Sequence, residues 1–203
     1  MAQYLSDPKR VANLVADLET TGLDTDRDEI VEVAVIGCNY ELEELFRGTW
    51  LTRPSQAGLA QMYANKWIRE TDTANGIFVE LAAAPLAGPG ALLTVPQIEH
   101  ELLALLGQHG ARPGKVSLAG SGVAEFDKLF LTRLMPTLMG ALYYRTDDVG
   151  YLRRSYLRAT GEVLTAINDS KTHRALDDVE AHIAEERTFR DFFRAHHVET
   201  KVS

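Results

Sequence analysis

The chain has 203 residues, 45% apolar and 25% charged, with 21 Lys+Arg against 29 Asp+Glu. That length supports one domain with a core of its own, and the composition excludes a disordered, collagen-like, coiled-coil or cystine-scaffold chain. A net charge of −8 excludes coating of long nucleic acid by bulk electrostatics, but a short strand can still be held by a local patch or by bound cations.

In chain order, residues 1–10 carry Asp7, Lys9 and Arg10, and Asp17 interrupts the apolar run that follows, so no targeting segment is expected. Residues 13–19 read as a strand, 21–24 as a turn, 29–37 as a β-branched strand and 45–51 as a third, which together suggest an antiparallel meander. Cys38 is the only cysteine and cannot form an internal disulfide, which predicts a reducing, cytoplasmic setting. Residues 56–70 are predicted helical. Residues 82–96, rich in Ala, Gly and Pro, read as a loop or insertion, with Thr94 as a helix cap before Pro96. The least polar stretch, 76–95, holds Glu80, Pro85 and Pro89 and is no membrane span. Beyond it come a helix over 97–106, a short strand over 115–119, a helix over 125–134, a strand over 143–149 and a long helix over 174–194. Strands followed by helices point to an α/β sheet.

Three short segments carry chemistry. Asp17 and Glu19 are two apart on the first strand, so they share a face. Adjacent carboxylates in an apolar strand repel each other and resist desolvation. A hard divalent cation such as Mg²⁺ or Mn²⁺ removes both costs. The bland alternative is a solvated strand end. Next, Gly120-Ser121-Gly122 turns into a helix bearing Asp127, and it lacks the residues of a phosphate loop or dinucleotide fingerprint. Last, His173 precedes a helix that opens with Asp177 and Asp178. A carboxylate on the helix and an imidazole on the loop suit a metal ligand and a general base, whereas the bland reading makes the acids partners of the helix dipole.

The order Asp17-Leu18-Glu19, then Phe126-Asp127, then His173 five residues before Asp178 resembles the DEDDh 3′–5′ exonuclease superfamily. Arg174 excludes the variant with tyrosine at that position. Within the superfamily the chain is most similar to oligoribonuclease. The resemblance is carried by Asp17-Leu18-Glu19-Thr20-Thr21-Gly22-Leu23, Trp67 with Asp72-Thr73 and Gly76, Met135-Pro136, Tyr144-Arg145 with Asp148-Val149, and His173…Asp178 running into Ile183-Ala184-Glu185 and Phe192-Phe193. It implies a ribonuclease-H-like α/β fold, with a central mixed five-stranded sheet (strands 1–3 antiparallel) flanked by helices in a single domain over 1–203. It further implies two divalent ions, Mg²⁺ or Mn²⁺, on Asp17, Glu19, Asp127 and Asp178, with His173 as base. Leu23 and Trp67 would pack on terminal bases, and Tyr144 and Arg145 would approach the substrate from the second protomer of a homodimer. The expected partner is short single-stranded RNA, with no membrane. A DNA-directed exonuclease is the nearest alternative. A non-catalytic nucleic-acid-binding protein is a further one, which the full acid set argues against.

The chain also departs from the pattern. Gly150 replaces a serine that would cap a 5′ phosphate, and Asp72 replaces a histidine. Both predict a softer preference for dinucleotides over five- to seven-mers, unless Ser121, Arg153 or Arg154 restores the cap.

Overall fold

The computed structural model describes residues 7–88, 91–165 and 173–197. Its elements run β1 (Asn13–Thr20), β2 (Ile30–Cys38), β3 (Glu44–Leu51), α1 (Gln56–Ala64), α2 (Lys66–Ala74), α3 (Ile77–Ala87), α4 (Val95–Gln108), β4 (Ser117–Gly120), α5 (Asp127–Leu134), α6 (Pro136–Ala141), β5 (Thr146–Asp148), α7 (Val149–Thr160) and α8 (Ala175–Ala195). The sheet order is β3-β2-β1-β4-β5. The first three strands are antiparallel, and β4 and β5 join in parallel. This is the mixed five-stranded sheet of the ribonuclease-H-like architecture.

Strand alternation divides the core. Leu14, Ala16 and Leu18 face a cluster completed by Ile98, Leu102 and Leu106 of α4 and Phe130 and Leu131 of α5. Val15 faces the other side, where Ala175, Val179 and Ile183 of α8 pack on Ala34, Ile36 and Cys38. Both faces of β2 are covered, so all nine of its residues are buried. At the end of β1 the register slips: Glu19 pairs with Glu32, but Thr20 pairs with Ile30. Such a bulge re-aims a side chain. Here Val31 turns to a third cluster with Met62, Ile68 and Ile77 of α1, α2 and α3. The helix over 97–106 appears as α4, which begins two residues early at Val95 and closes a capping box between Thr94 and Gln97.

Four elements differ from the sequence reading. The helix expected over 56–70 is two helices, because the Asn65 side chain accepts from the Trp67 and Ile68 amides and starts a new one. The loop expected over 82–96 is helical as far as Ala87. Ala82, Ala83 and Ala84 are strong helix formers, and the helix ends at Gly88 with φ of 100°. The helix expected from 125 begins at Asp127, after a turn in which the Glu125 and Phe126 amides bond the Gly122 carbonyl. The strand expected over 143–149 is only three residues long, because the Asp148 side chain caps α7. No helix among the described residues is long and apolar enough to cross a membrane.

Candidate active site

The alternation that sends Val15 toward α8 sends Asp17 and Glu19 the same way. Asp178 lies in the first turn of α8 and is buried there. Carboxylate oxygens of Asp17, Glu19 and Asp178 come within 4.8 Å of one another. Asp127, the fourth expected acid, lies outside that cluster at the start of α5, where it is buried. The Leu18 amide hydrogen-bonds its carboxyl and ties it to β1, and its charge is felt at Glu19.

The electrostatics are those of an acid cluster capable of holding a cation. Burial pushes the Glu19 carboxyl up to about 8, and the charges of Asp72, Glu32, Asp178 and Asp127 add to the shift. Burial likewise pushes Asp127 up to about 7 against the pull of the Asp127 and Leu18 amides, with Asp148 adding repulsion. Crowded hard oxygen donors held short of full ionisation fit a divalent cation, whose charge would restore the ionised forms.

Beside the acids lies a cavity of about 280 Å³, lined by Glu19, Thr20, Leu23, Trp67, Asp72 and Phe126 among others. Leu23 is 81% exposed and Trp67 59% exposed, so neither serves the core; Ile68 takes the buried position on α2. The Trp67 indole stands edge-on to the His173 imidazole, with ring centroids 5.5 Å apart at 82°. His173 lies on the loop before α8, as expected, with φ of 51°. Tyr144 and Arg145 are not brought to this cavity. Tyr144 is 66% exposed, the Arg145 guanidinium lies over its ring at 5.2 Å, and its carbonyl accepts from Lys128 Nζ at 2.8 Å.

The turn before Asp127 runs close to β1. A Cβ on Gly120 would sit 2.8 Å from the Ala16 carbonyl, so only glycine fits. At Gly150 a Cβ would sit 2.8 Å from Ser121 Oγ and 3.3 Å from Arg154 Nη1. The space a side chain would occupy at position 150 is therefore already taken by a hydroxyl, by the Asp148 carboxylate at 3.0 Å and by a guanidinium.

Sequence reasoning missed Glu32. It is 1% exposed on β2 and pairs with Arg174, the residue after His173, at 2.7 Å. It also accepts from the Ala175 amide at 3.1 Å, at the N-terminus of α8. The available signal was one charge inside the run Ile30–Cys38. Asp72 stands where the family pattern has a histidine. It is buried, hydrogen-bonds the Asn75 side chain and is pushed up to about 6, chiefly by burial.

A mixed sheet carrying convergent carboxylates on its central strand and on the last helix defines the class of ribonuclease-H-like DEDDh 3′–5′ exonucleases. The solved structures with this fold include an exonuclease I from Methylocaldum szegediense (TM-score 0.57, 19% identity, 88% of this chain and 40% of that one). The zinc-bound E. coli exonuclease I–single-stranded DNA complex is another (TM-score 0.59, 17% identity, 92% of this chain and 43% of that one). The chain thus spans about two fifths of those longer proteins. No family model matches the chain. Among curated proteins it is 34% identical over 178 residues to an oligoribonuclease of Sodalis glossinidius, covering 87% of this chain and 92% of that protein. It is 35% identical over 180 residues to an oligoribonuclease of Streptomyces coelicolor, covering 86% and 83%. The chain belongs to the oligoribonuclease family.

Proposed function

We propose that the protein is a metal-dependent exoribonuclease that shortens single-stranded oligoribonucleotides from the 3′ end and releases nucleoside 5′-monophosphates. The observation that carries this reading is the convergence of Asp17, Glu19 and Asp178 beside an exposed Leu23–Trp67 wedge. Asp17, Glu19, Asp127 and Asp178 hold two divalent ions, Mg²⁺ or Mn²⁺, which when bound supply Lewis acidity at the scissile phosphate and the positive charge that a −8 chain lacks. His173 takes a proton from the attacking water. Leu23 and Trp67 pack on the terminal bases, a contact tolerant of sequence because every base has a π-face. Tyr144 and Arg145, exposed and away from this cavity, reach the site of the partner in a homodimer. The chain acts as a single domain. The setting is cytoplasmic, in keeping with a lone Cys38 whose buried thiol is pushed up to about 12 and is inert.

A series of 5′-labelled RNA and DNA strands, two to twenty nucleotides long, with Mg²⁺ or Mn²⁺ tests this. Short RNA should be consumed fastest, one 3′ nucleotide at a time. Equal or faster loss of DNA would transfer the assignment to the DNA-directed branch. Metal-dependent binding without turnover would make the protein a non-catalytic binder.

A further inference from the structure

His173 and Leu42 are the non-glycine residues with positive φ among the described residues. A side chain with a Cβ stays in that region only where its surroundings hold it. At His173 the hold is complete on both sides of the residue. Asn75, which ends α2, donates from Nδ2 to the His173 carbonyl at 2.5 Å and accepts at Oδ1 from the Ile77 amide at 3.0 Å. The Asn75 side chain also hydrogen-bonds the buried Asp72 carboxyl. Near the other end of α2, Trp67 meets the imidazole edge-on. On the C-terminal side, Arg174 donates to the Asn75 carbonyl at 3.4 Å, to Glu80 at 2.6 Å and to Glu32 at 2.7 Å. One guanidinium therefore ties the loop to β2, to α3 and to the end of α2.

We propose that Asn75 and Arg174 are positioning residues that fix the strained backbone at His173, so that α2 sets the imidazole against the attacking water while its Trp67 receives the terminal base. The proposal rests on the reading of His173 as base, and it adds the residues that place that base. One helix then carries both the stacking surface and the grip on the imidazole loop. A base seated on Trp67 is thereby registered against His173 without any contact between substrate and Asn75. Misplacement of a catalytic group by about 1 Å can cost on the order of a hundredfold.

The test compares Asn75→Ala and Asn75→Asp, each alone and combined with His173→Ala. Asn75→Asp retains the acceptor for the Ile77 amide but loses the donor to His173, so it reports on positioning even if Asn75→Ala fails to fold. Each should lower kcat by about ten- to a hundredfold. Affinity for a dinucleotide whose bridging 3′ oxygen is replaced by methylene should stay within about threefold, since the substrate-facing groups are untouched. The His173 imidazole resonances in histidine-labelled protein should shift or broaden. In the His173→Ala background neither substitution should cost anything further, because a residue acting through another has nothing left to act on. For the second residue, Arg174→Lys should recover part of the kcat lost in Arg174→Gln, because an ammonium can still meet Glu32 but cannot fork to Glu80. Unchanged kcat in both Asn75 variants, or a loss that persists undiminished without His173, would overturn the proposal. Full activity in His173→Ala alone would instead overturn the base assignment on which it rests.

Discussion

The two ends of the central strands carry two very different cavities. At the start of β1 and β4 lies the larger, about 600 Å³, lined by Tyr40, Leu42, Lys115, Tyr143, Glu186 and Arg190 among others. Toward the end of β1 lies the smaller, about 280 Å³, lined by Glu19, Leu23, Trp67 and Asp72, with no lysine or arginine among its described lining residues. By size alone the first would be the default site. Each holds a carboxyl raised by burial, Glu186 to about 7 and Glu19 to about 8. The neighbours separate them. Glu186 is pressed by one acid, Asp147, and eased by Arg190, whereas four acids, Asp72, Glu32, Asp178 and Asp127, press on Glu19. Mutual repulsion of several acids at the carboxyl end of a strand, where open α/β sheets place their ligands, marks the chemistry better than volume does.

The strongest way to break this comparison is to remove the repelling acids. Asp17→Ala or Asp178→Ala should abolish turnover while the fold persists, because deleting one carboxylate from a metal-free cluster relieves repulsion. Phe193→Ala in the larger cavity should leave kcat/KM within about twofold, as a substitution outside the chemistry does. Near-wild-type rates in either acid variant at saturating Mg²⁺, with circular dichroism unchanged, would remove the metal assignment.

A pH titration without metal sharpens the same contrast. Glu19 and Asp127 have folded values above their ordinary 4.5 and 3.8, at about 8 and about 7. An acid raised on folding contributes stability that is fully present below its unfolded value and is lost as pH rises through the folded one. The metal-free protein should therefore lose Tm between about pH 5 and 8.5, at roughly 2–4 °C for each kcal/mol in a chain of this size. Millimolar Mn²⁺ should restore it at the alkaline end by binding the ionised acids, and calorimetry at pH 7 in two buffers should detect about one proton released per chain. A Tm that rises with pH in the absence of metal would contradict the burial argument.

Trp67 tests the other half of the site. Stacking of a base on an aromatic is worth about 1–3 kcal/mol by alanine substitution, which corresponds to roughly five- to 150-fold in affinity. Trp67→Ala should raise KM on that scale, and Trp67→Phe should recover most of it. A kcat loss with KM unchanged would instead mean that the indole serves only as a support for His173.

How much of this was legible in the sequence depended on whether a period or a partner was needed. Asp17 and Glu19 were legible because strand alternation alone puts them on one face. Asp178 was legible because its place in the helix follows from the residues beside it. Glu32 was missed: a single charge in an apolar strand is a weak signal, and its partner Arg174 lies 142 positions away with no local rule to connect them. The split at Asn65 was hidden because an asparagine becomes a cap only when its side chain turns back on the next helix. The run over 82–87 misled because Pro85 within it and the glycines and proline just beyond it outweighed four alanines that favour helix. The exposure of Trp67 could not be read from its helix, since an aromatic on an amphipathic helix looks alike whether it fills a core or a cleft; only the family resemblance pointed to it.

The last contrast concerns substrate length. From sequence, Gly150 offers no hydroxyl to a 5′ phosphate, and Asp72 would repel one. In the fold, Ser121 Oγ lies 2.8 Å and Arg154 Nη1 3.3 Å from where a Cβ at position 150 would be. Arg153 approaches the same hydroxyl at 3.5 Å while forking onto Glu185. A hydroxyl and a guanidinium thus stand beside the N-terminus of α7, a position whose dipole favours an anion. Asp148, which caps that helix, works against one. A hydrogen bond to the charged phosphate, from the hydroxyl or from the guanidinium, should contribute about 1.5–3 kcal/mol. Ser121→Ala and Arg154→Ala should therefore each weaken binding of a 5′-phosphorylated dinucleotide by roughly twelve- to 150-fold. Seven-mers, whose 5′ phosphate lies beyond this point, should lose much less. Competition binding with 5′-phosphorylated two-mers and seven-mers measures the difference. Equal losses for both lengths would mean that Ser121 and Arg154 merely fill the space beside Gly150, and the preference for dinucleotides would then be the soft one that Gly150 and Asp72 predict.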